Sequence, residues 1–272
     1  MYEANDLSLR IGSKVILDDV SIKLHPGKFT AVVGPNGAGK SSLLKIIAGE
    51  QTPSQGAVKV NGKNLRTYRS TELSMLRAVL PQQQVVQFAF SVEQVIHLGR
   101  HVHRSRRSHD ERIVAEVMRL TDVYKFRHRS YPTLSGGEKQ RVQLARVLAQ
   151  VWDDAVHPRY VLMDEPTASL DIAQQQHIFA LARQVCGRNI GVMAIVHDLN
   201  QAARFADELY FIGDGRLVAS GSAREVFTRA VIQKTFRCNV NVYHDPCSGC
   251  PFIIPETFPS VNNQSILKPV IQ

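Results

Sequence analysis

The chain has 272 residues, 44% hydrophobic and 21% charged, the balance of a globular α/β protein of one large domain or one domain with a subdomain. No apolar stretch is long enough to span a bilayer, the acidic start Met1–Asp6 lacks an apolar signal region, and four cysteines are too few for a disulfide framework. A cytoplasmic protein is therefore expected, and its formal net charge of +9 admits nucleic acid, a membrane surface or an acidic partner.

Residues 2–33 predict strands, since Val20, Ile22 and Leu24 alternate with Ser21 and Lys23. Pro26-Gly27 marks a turn before the apolar run Phe29–Val33. A glycine-rich stretch, Gly34 to Ser42, separates that run from a helical pattern over Ser42–Ala48, with Leu43, Ile46 and Ile47 on one face. Pro53–Gly56 is a turn, Val58 and Val60 suggest a short strand, and Asn61-Gly62 is a hairpin dipeptide. Ala78–Leu80 predicts a further strand.

Gln82, Gln83, Gln84 and Gln87 then open a polar stretch, and the pattern turns helical. Ser91 with Gln94, and Ser108 with Glu111, have the form of capping boxes, the second placed before a helix over Asp110–Leu120. Residues 88–133 thus read as an inserted helical subdomain. Inside it, Arg100, Arg104, Arg106 and Arg107 form a basic run that reads as a solvated loop. No aromatic series interleaves it, so a nucleic-acid surface is weakly supported. Leu134–Glu138 opens a helix through Gln150, and the polar stretch Trp152–Arg159 leads to the strand Tyr160–Met163. A helix over Ile172–Val185, a buried strand over Gly191–Val196, a helix over Asp198–Phe205 and strands over Glu208–Ile212 and Arg216–Ser220 follow. Residues 236–272, with Pro246, Pro251, Pro255, Pro259 and Pro269, read as an irregular tail with room for one short strand.

The chemistry concentrates in three places. Gly34, Pro35, Asn36, Gly37, Ala38, Gly39, Lys40, Ser41 and Ser42 spell a phosphate-binding loop between a strand and a helix. Its glycines let backbone N–H groups turn toward phosphates at a helix N-terminus. Lys40 is placed to reach the β- and γ-phosphates, and the Ser41 hydroxyl to ligate Mg²⁺. The strand Tyr160–Met163 ends in Asp164 and Glu165, one carboxylate to hold Mg²⁺ and one to act as general base on water. Ser135, Gly136 and Gly137 at a helix start form a second anion-binding cap. A tail Cys247-x-x-Cys250 pair, with His244 and Cys238, raises the idea of a metal site, but one pair at irregular spacing reads better as surface thiols.

A phosphate loop and a second phosphate cap in a single chain pose a question that a family resemblance answers. Over residues 2 to about 235 the chain resembles the ATP-binding subunits of ATP-binding-cassette (ABC) transporters, whose signature motif Leu134-Ser-Gly-Gly-Glu138 matches. The resemblance implies a P-loop α/β core over 2–87 and 134–235 with an N-terminal antiparallel β-subdomain, the helical subdomain at 88–133, and a tail at 236–272. It implies a homodimer that binds ATP and Mg²⁺ in two composite sites, the signature of each subunit closing on the other's loop. Gln82 matches the family's Q-loop glutamine, a residue that senses Mg²⁺ and water; Ser169-Leu170-Asp171 matches its D-loop, and His197 its switch histidine. Where the family stacks adenine on an aromatic ring, this chain has Arg10-Ile11-Gly12, with Tyr2 a distant substitute.

Within the family, Phe88–Arg100 is similar to the segment of iron–siderophore, heme and cobalamin importers that receives the membrane subunit, and the Val151–Arg159 spacer is most similar to heme importers. The implied assembly is a peripheral ATPase on the cytoplasmic face of a bacterial inner membrane. It serves two transmembrane permease subunits and, indirectly, a periplasmic heme-binding protein, without nucleic acid. A soluble ABC ATPase acting on nucleic acid or ribosomes is the alternative that the charge keeps open.

Overall fold

The computed structural model describes residues 1–82, 89–168 and 170–256. Gln83, Gln84, Gln87, Phe88, Ser169, Pro259 and Pro269 lie outside the described residues.

The chain opens with two long strands, β1 (Tyr2–Ile11) and β2 (Lys14–Leu24), and then β3 (Phe29–Val33), α1 (Lys40–Ala48), β4 (Gln55–Val60) and β5 (Lys63–Asn64). A short helix, α2 (Ser70–Leu76), precedes β6 (Arg77–Leu80). Helices α3 (Val92–His97), α4 (Arg107–Leu120) and α5 (Gly136–Val151) follow, and then β7 (Arg159–Met163), α6 (Ile172–Cys186), β8 (Ile190–Ile195) and α7 (Leu199–Phe205). The last elements are β9 (Glu208–Gly213), β10 (Arg216–Gly221), α8 (Ala223–Val226), α9 (Arg229–Phe236), β11 (Val240–His244) and β12 (Pro251–Pro255).

The central sheet has the order β10-β9-β3-β8-β7-β6, parallel except for β10 at one edge. Both of its faces are covered, which explains the unbroken apolar strands. Ala31, Val33, Val161, Met163, Val192, Ala194, Leu209 and Phe211 face the helices. Their neighbours Val32, Leu162, Met193, Ile195, Tyr210 and Ile212 face α1 and the antiparallel sheet β2-β1-β4-β5. Tyr2 belongs to this second core, 1% exposed, its hydroxyl donating to the Ile47 carbonyl and its ring edge-on to Tyr160 at 5.0 Å.

Three expectations change. Helix α4 begins at Arg107 with Arg106 as N-cap, not at the Ser108 box. Glu111 pairs with Arg107 at 2.9 Å and Asp110 with Arg100 at 2.7 Å, so the acids of that turn serve ion pairs. Arg100 is not a solvated loop residue: it is 3% exposed, and its guanidinium donates to Asp110, to Asp153 and to the Ala149 carbonyl. The tail holds a complete hairpin. β11 pairs β12 from Val240↔Pro255 to His244↔Pro251, Val240 joins the main core, and Asn200 of α7 clasps the β12 backbone at Ile253 with both amide atoms.

Candidate functional site

Parallel strands end on the same edge of a sheet, and that edge is where an open α/β fold holds ligands. β3 runs into Gly34, β6 into Gln82, β7 into Asp164 and Glu165, and β8 into Val196 and His197. Pairing fixes their levels: Leu80 sits beside Met163, Asp164 N–H donates to the Leu80 carbonyl at 2.9 Å, and Val196 N–H to the Val32 carbonyl at 3.0 Å.

In the phosphate loop, Gly37 and Gly39 take φ of +80° and +94°, conformations that favour glycine and turn the N–H groups inward. Gly34 is required for a different reason, since a Cβ there would lie 2.1 Å from the Ile212 carbonyl oxygen. Lys40, 5% exposed, donates to the Gly34 and Pro35 carbonyls at 2.8 and 2.9 Å. Burial lowers its pKa, while Glu165 and Asp164 pull it back up. Pro35 is partly exposed, Asn36 exposed and Ala38 buried, and Ser42 lies half-buried on α1.

The carboxylates meet the loop directly. Ser41 Oγ lies 3.4 Å from Asp164 Oδ1. Burial raises the Asp164 pKa, and the Glu165 charge beside it adds to the effect. Glu165 is held from both sides: Gln82 Nε2 donates to Oε2 at 2.6 Å, and His197 Nε2 lies 2.5 Å from Oε1. The fold thus joins Lys40, Ser41, Asp164, Glu165, Gln82 and His197 in one cluster.

The chain has relatives among known proteins. A family model described as ABC transporter matches residues 17–168. The chain belongs to the ABC transporter family. It is similar to the hemin import ATP-binding protein HmuV of Rhizobium meliloti (strain 1021), 41% identical over 94% of this chain and 99% of that one. The same-named protein of Gloeobacter violaceus is 43% identical over 99% of this chain and 97% of that one. Among solved structures it resembles a metal-chelate type ABC transporter in an inward-facing conformation, with a TM-score of 0.79 at 23% identity over 94% of this chain and 96% of that one; this likeness concerns the fold. The chain is thus an ATP-binding, ATP-hydrolysing transporter subunit that works with transmembrane components.

In this ABC ATPase the signature residues stand apart from the cluster. Ser135 caps α5, its hydroxyl accepting from Glu138 N–H at 3.3 Å while Glu138 accepts from Ser135 N–H at 2.8 Å. Ser135 and Gly136 are exposed, and a Cβ on Gly136 would meet nothing within 4 Å. Asp171 caps α6, accepting from Gln174 N–H at 2.8 Å. The ATPase ties α5 to the loop after Glu165 through Gln140, which donates to the Pro166 carbonyl at 2.8 Å.

At the adenine end, Ile11 is 57% exposed, and Val15, a residue the sequence reading passed over, is 44% exposed. Ile11 pairs with Lys14 and Arg10 with Val15, and the next residue, Ile16, has its carbonyl against Gly39. This register puts Ile11 and Val15 on opposite faces of the hairpin, so Val15 does not join Ile11 in one apolar surface, and buried Tyr2 is excluded from stacking there. Among the described residues no three His, Cys, Asp or Glu side chains gather to hold a metal in the tail, where Cys238 and Cys247 are exposed and free. No helix among the described residues is long and apolar enough to cross a membrane.

Proposed function

We propose that this ABC ATPase powers import of hemin across a bacterial inner membrane, acting as a homodimer on the cytoplasmic face beneath two transmembrane permease subunits. A periplasmic heme-binding protein delivers the cargo. The reading of the cargo rests on relatives named for hemin import that match almost end to end. The reading of the chemistry rests on one observation, the Glu165 carboxylate held between Gln82 and His197 beside Asp164 and Ser41.

Lys40 exchanges its own loop carbonyls for the β- and γ-phosphates of ATP, a stronger charge-assisted pairing. Gly34 through Ser42 cradle the phosphates, and exposed Ile11 offers the base an apolar contact. Ser41, Asp164 and Gln82 fit a Mg²⁺ site, since a hydroxyl and a carboxylate already converge and the crowded, buried Asp164 charge favours a nearby cation. Mg²⁺ bound with the nucleotide neutralises phosphate charge. Glu165 accepts the proton of the attacking water, Gln82 and His197 fix its orientation, and His197 contacts the γ-phosphate. Ser135, Gly136 and Gly137 of the second copy close the site, with Asp171 at the interface. Exposure of Ser135 and Gly136 supports this, because none of the described residues covers them.

A cleft of about 580 Å³ on the helical subdomain, lined by Phe90, Gln94, His97, Leu98 and His101, suits a permease segment. The site itself never touches the cargo, so the same engine would serve an iron–siderophore or cobalamin importer. Reconstitution with the permease tests the reading. Hemin-loaded binding protein should stimulate ATP hydrolysis, and stimulation by a siderophore or cobalamin complex alone would reassign the cargo. Recovery of ribosomes or DNA instead of a membrane subunit, in a pull-down from solubilised membranes, would point to the soluble alternative.

A further inference from the structure

We infer that Gln174 is a positioning residue that locks the signature turn and the Asp171 turn of one subunit into a single rigid face for the partner's nucleotide. The inference rests on the composite-site reading above. Gln174 holds both oxygens of the Asp171 carboxylate: its backbone N–H donates to Oδ1 at 2.8 Å and its side-chain Nε2 to Oδ2 at 2.6 Å. Its other amide atom, Oε1, is buried, has no hydrogen-bond partner and lies against Gly137. A Cβ on Gly137 would fall 1.5 Å from Oε1, whereas a Cβ on Gly136 would meet nothing within 4 Å. The two signature glycines therefore differ in kind. Gly136 is open toward a partner, and Gly137 is bare because Gln174 fills the place of its side chain.

A buried carbonyl oxygen left without a donor costs free energy, so the packing is held by something else. The Asp171 carboxylate supplies it, as an ionised acceptor that fixes the amide plane. Gln140, bonded to the Pro166 carbonyl at 2.8 Å, braces the same first turns of α5 against the loop after Glu165. The signature, the Asp171 turn and the Glu165 loop thus move together only while Gln174 keeps its place.

ATP-driven dimerisation of the Glu165→Gln protein provides the test, read by sedimentation across an ATP titration. Gln174→Leu and Gln174→Glu keep the backbone bond to Asp171 but have no side-chain donor for it, and should each raise the ATP concentration at half-dimerisation about tenfold, the order expected for losing one hydrogen bond to a charged group. Nucleotide affinity of the monomer should stay at its starting value, and the melting temperature should fall by only about 2–4 °C. Gly137→Ala should cost less in a Gln174→Ala background than alone, because the added methyl then has room. Unchanged dimerisation in the Gln174 variants, or additive Gly137 and Gln174 effects, overturns the inference. If Glu165→Gln with Gln174 intact does not dimerise on ATP at all, the composite-site reading beneath it falls instead.

Discussion

Glu165 takes φ of +49°, a left-handed conformation that costs a non-glycine residue about 1–2 kcal/mol. Gln82 and His197 hold the side chain that results, one on each carboxylate oxygen. A general base so fixed predicts that Glu165→Gln keeps ATP binding but slows hydrolysis by roughly 10²–10⁴-fold in a single-turnover assay; hydrolysis at the original rate would remove Glu165 from that role. The adenine contact gives a second prediction. Ile11→Tyr should tighten nucleotide binding by roughly three- to tenfold, the worth of an aromatic stack, and Ile11→Asp should weaken it, both read by fluorescence titration. At this scale much was legible. A glycine-rich loop, a strand ending in two acids and a histidine after a strand are local patterns, and parallel pairing gathered them. Gln174 was not legible, because a helical glutamine carries meaning only through what packs beside it.

Among the elements, the join of the helical subdomain to the core is the least expected. Asp153, in the spacer after α5, accepts from Arg100 at 2.6 Å and pairs with His109 at 2.5 Å. Burial alone would raise its pKa, but the bonds to Arg100 and His109 outweigh it and hold the carboxyl well below the usual range. Asp153→Ala should destabilise the protein by about 3 kcal/mol in a denaturant melt, the low end for stranding a buried charge, because Asp110 still pairs with Arg100. A depressed carboxylate contributes fully above its ordinary value near 3.8, so Asp153 sets no limit near neutrality. His103 does. Burial is the largest cause holding its pKa below the ordinary 6.5, so its contribution is complete above 6.5 and shrinks as pH falls through the folded value. The melting midpoint should therefore fall on mild acidification, and a His103→Gln protein should lose that part of the slope. Sequence reading found the strands and long helices by periodicity. It misread Arg100 as solvated because its partners stand 10 and 53 residues away. It missed the β11–β12 hairpin because β11 alternates over only five residues and β12 is bounded by Pro251 and Pro255, which read as breakers.

At the scale of the whole molecule, two apolar cores sandwich one sheet, and the groups of the proposed catalytic cluster gather where its parallel strands end. The signature turn lies on the helical side with Ser135 and Gly136 uncovered. That division, half a site at the strand ends and half at a helix start, is the central claim, and the second phosphate cap already hinted at it in the sequence. Mixing two inactive proteins tests it most directly. Lys40→Ala destroys the loop half and leaves the signature intact; Ser135→Arg destroys the signature half and leaves the loop intact. Each homodimer should be unable to hydrolyse ATP. Mixed dimers should regain hydrolysis, since the loop of one subunit then meets the intact signature of the other in one of the two sites. Silence of the mixture, with mixed dimers present, would contradict a site shared between two copies of the chain.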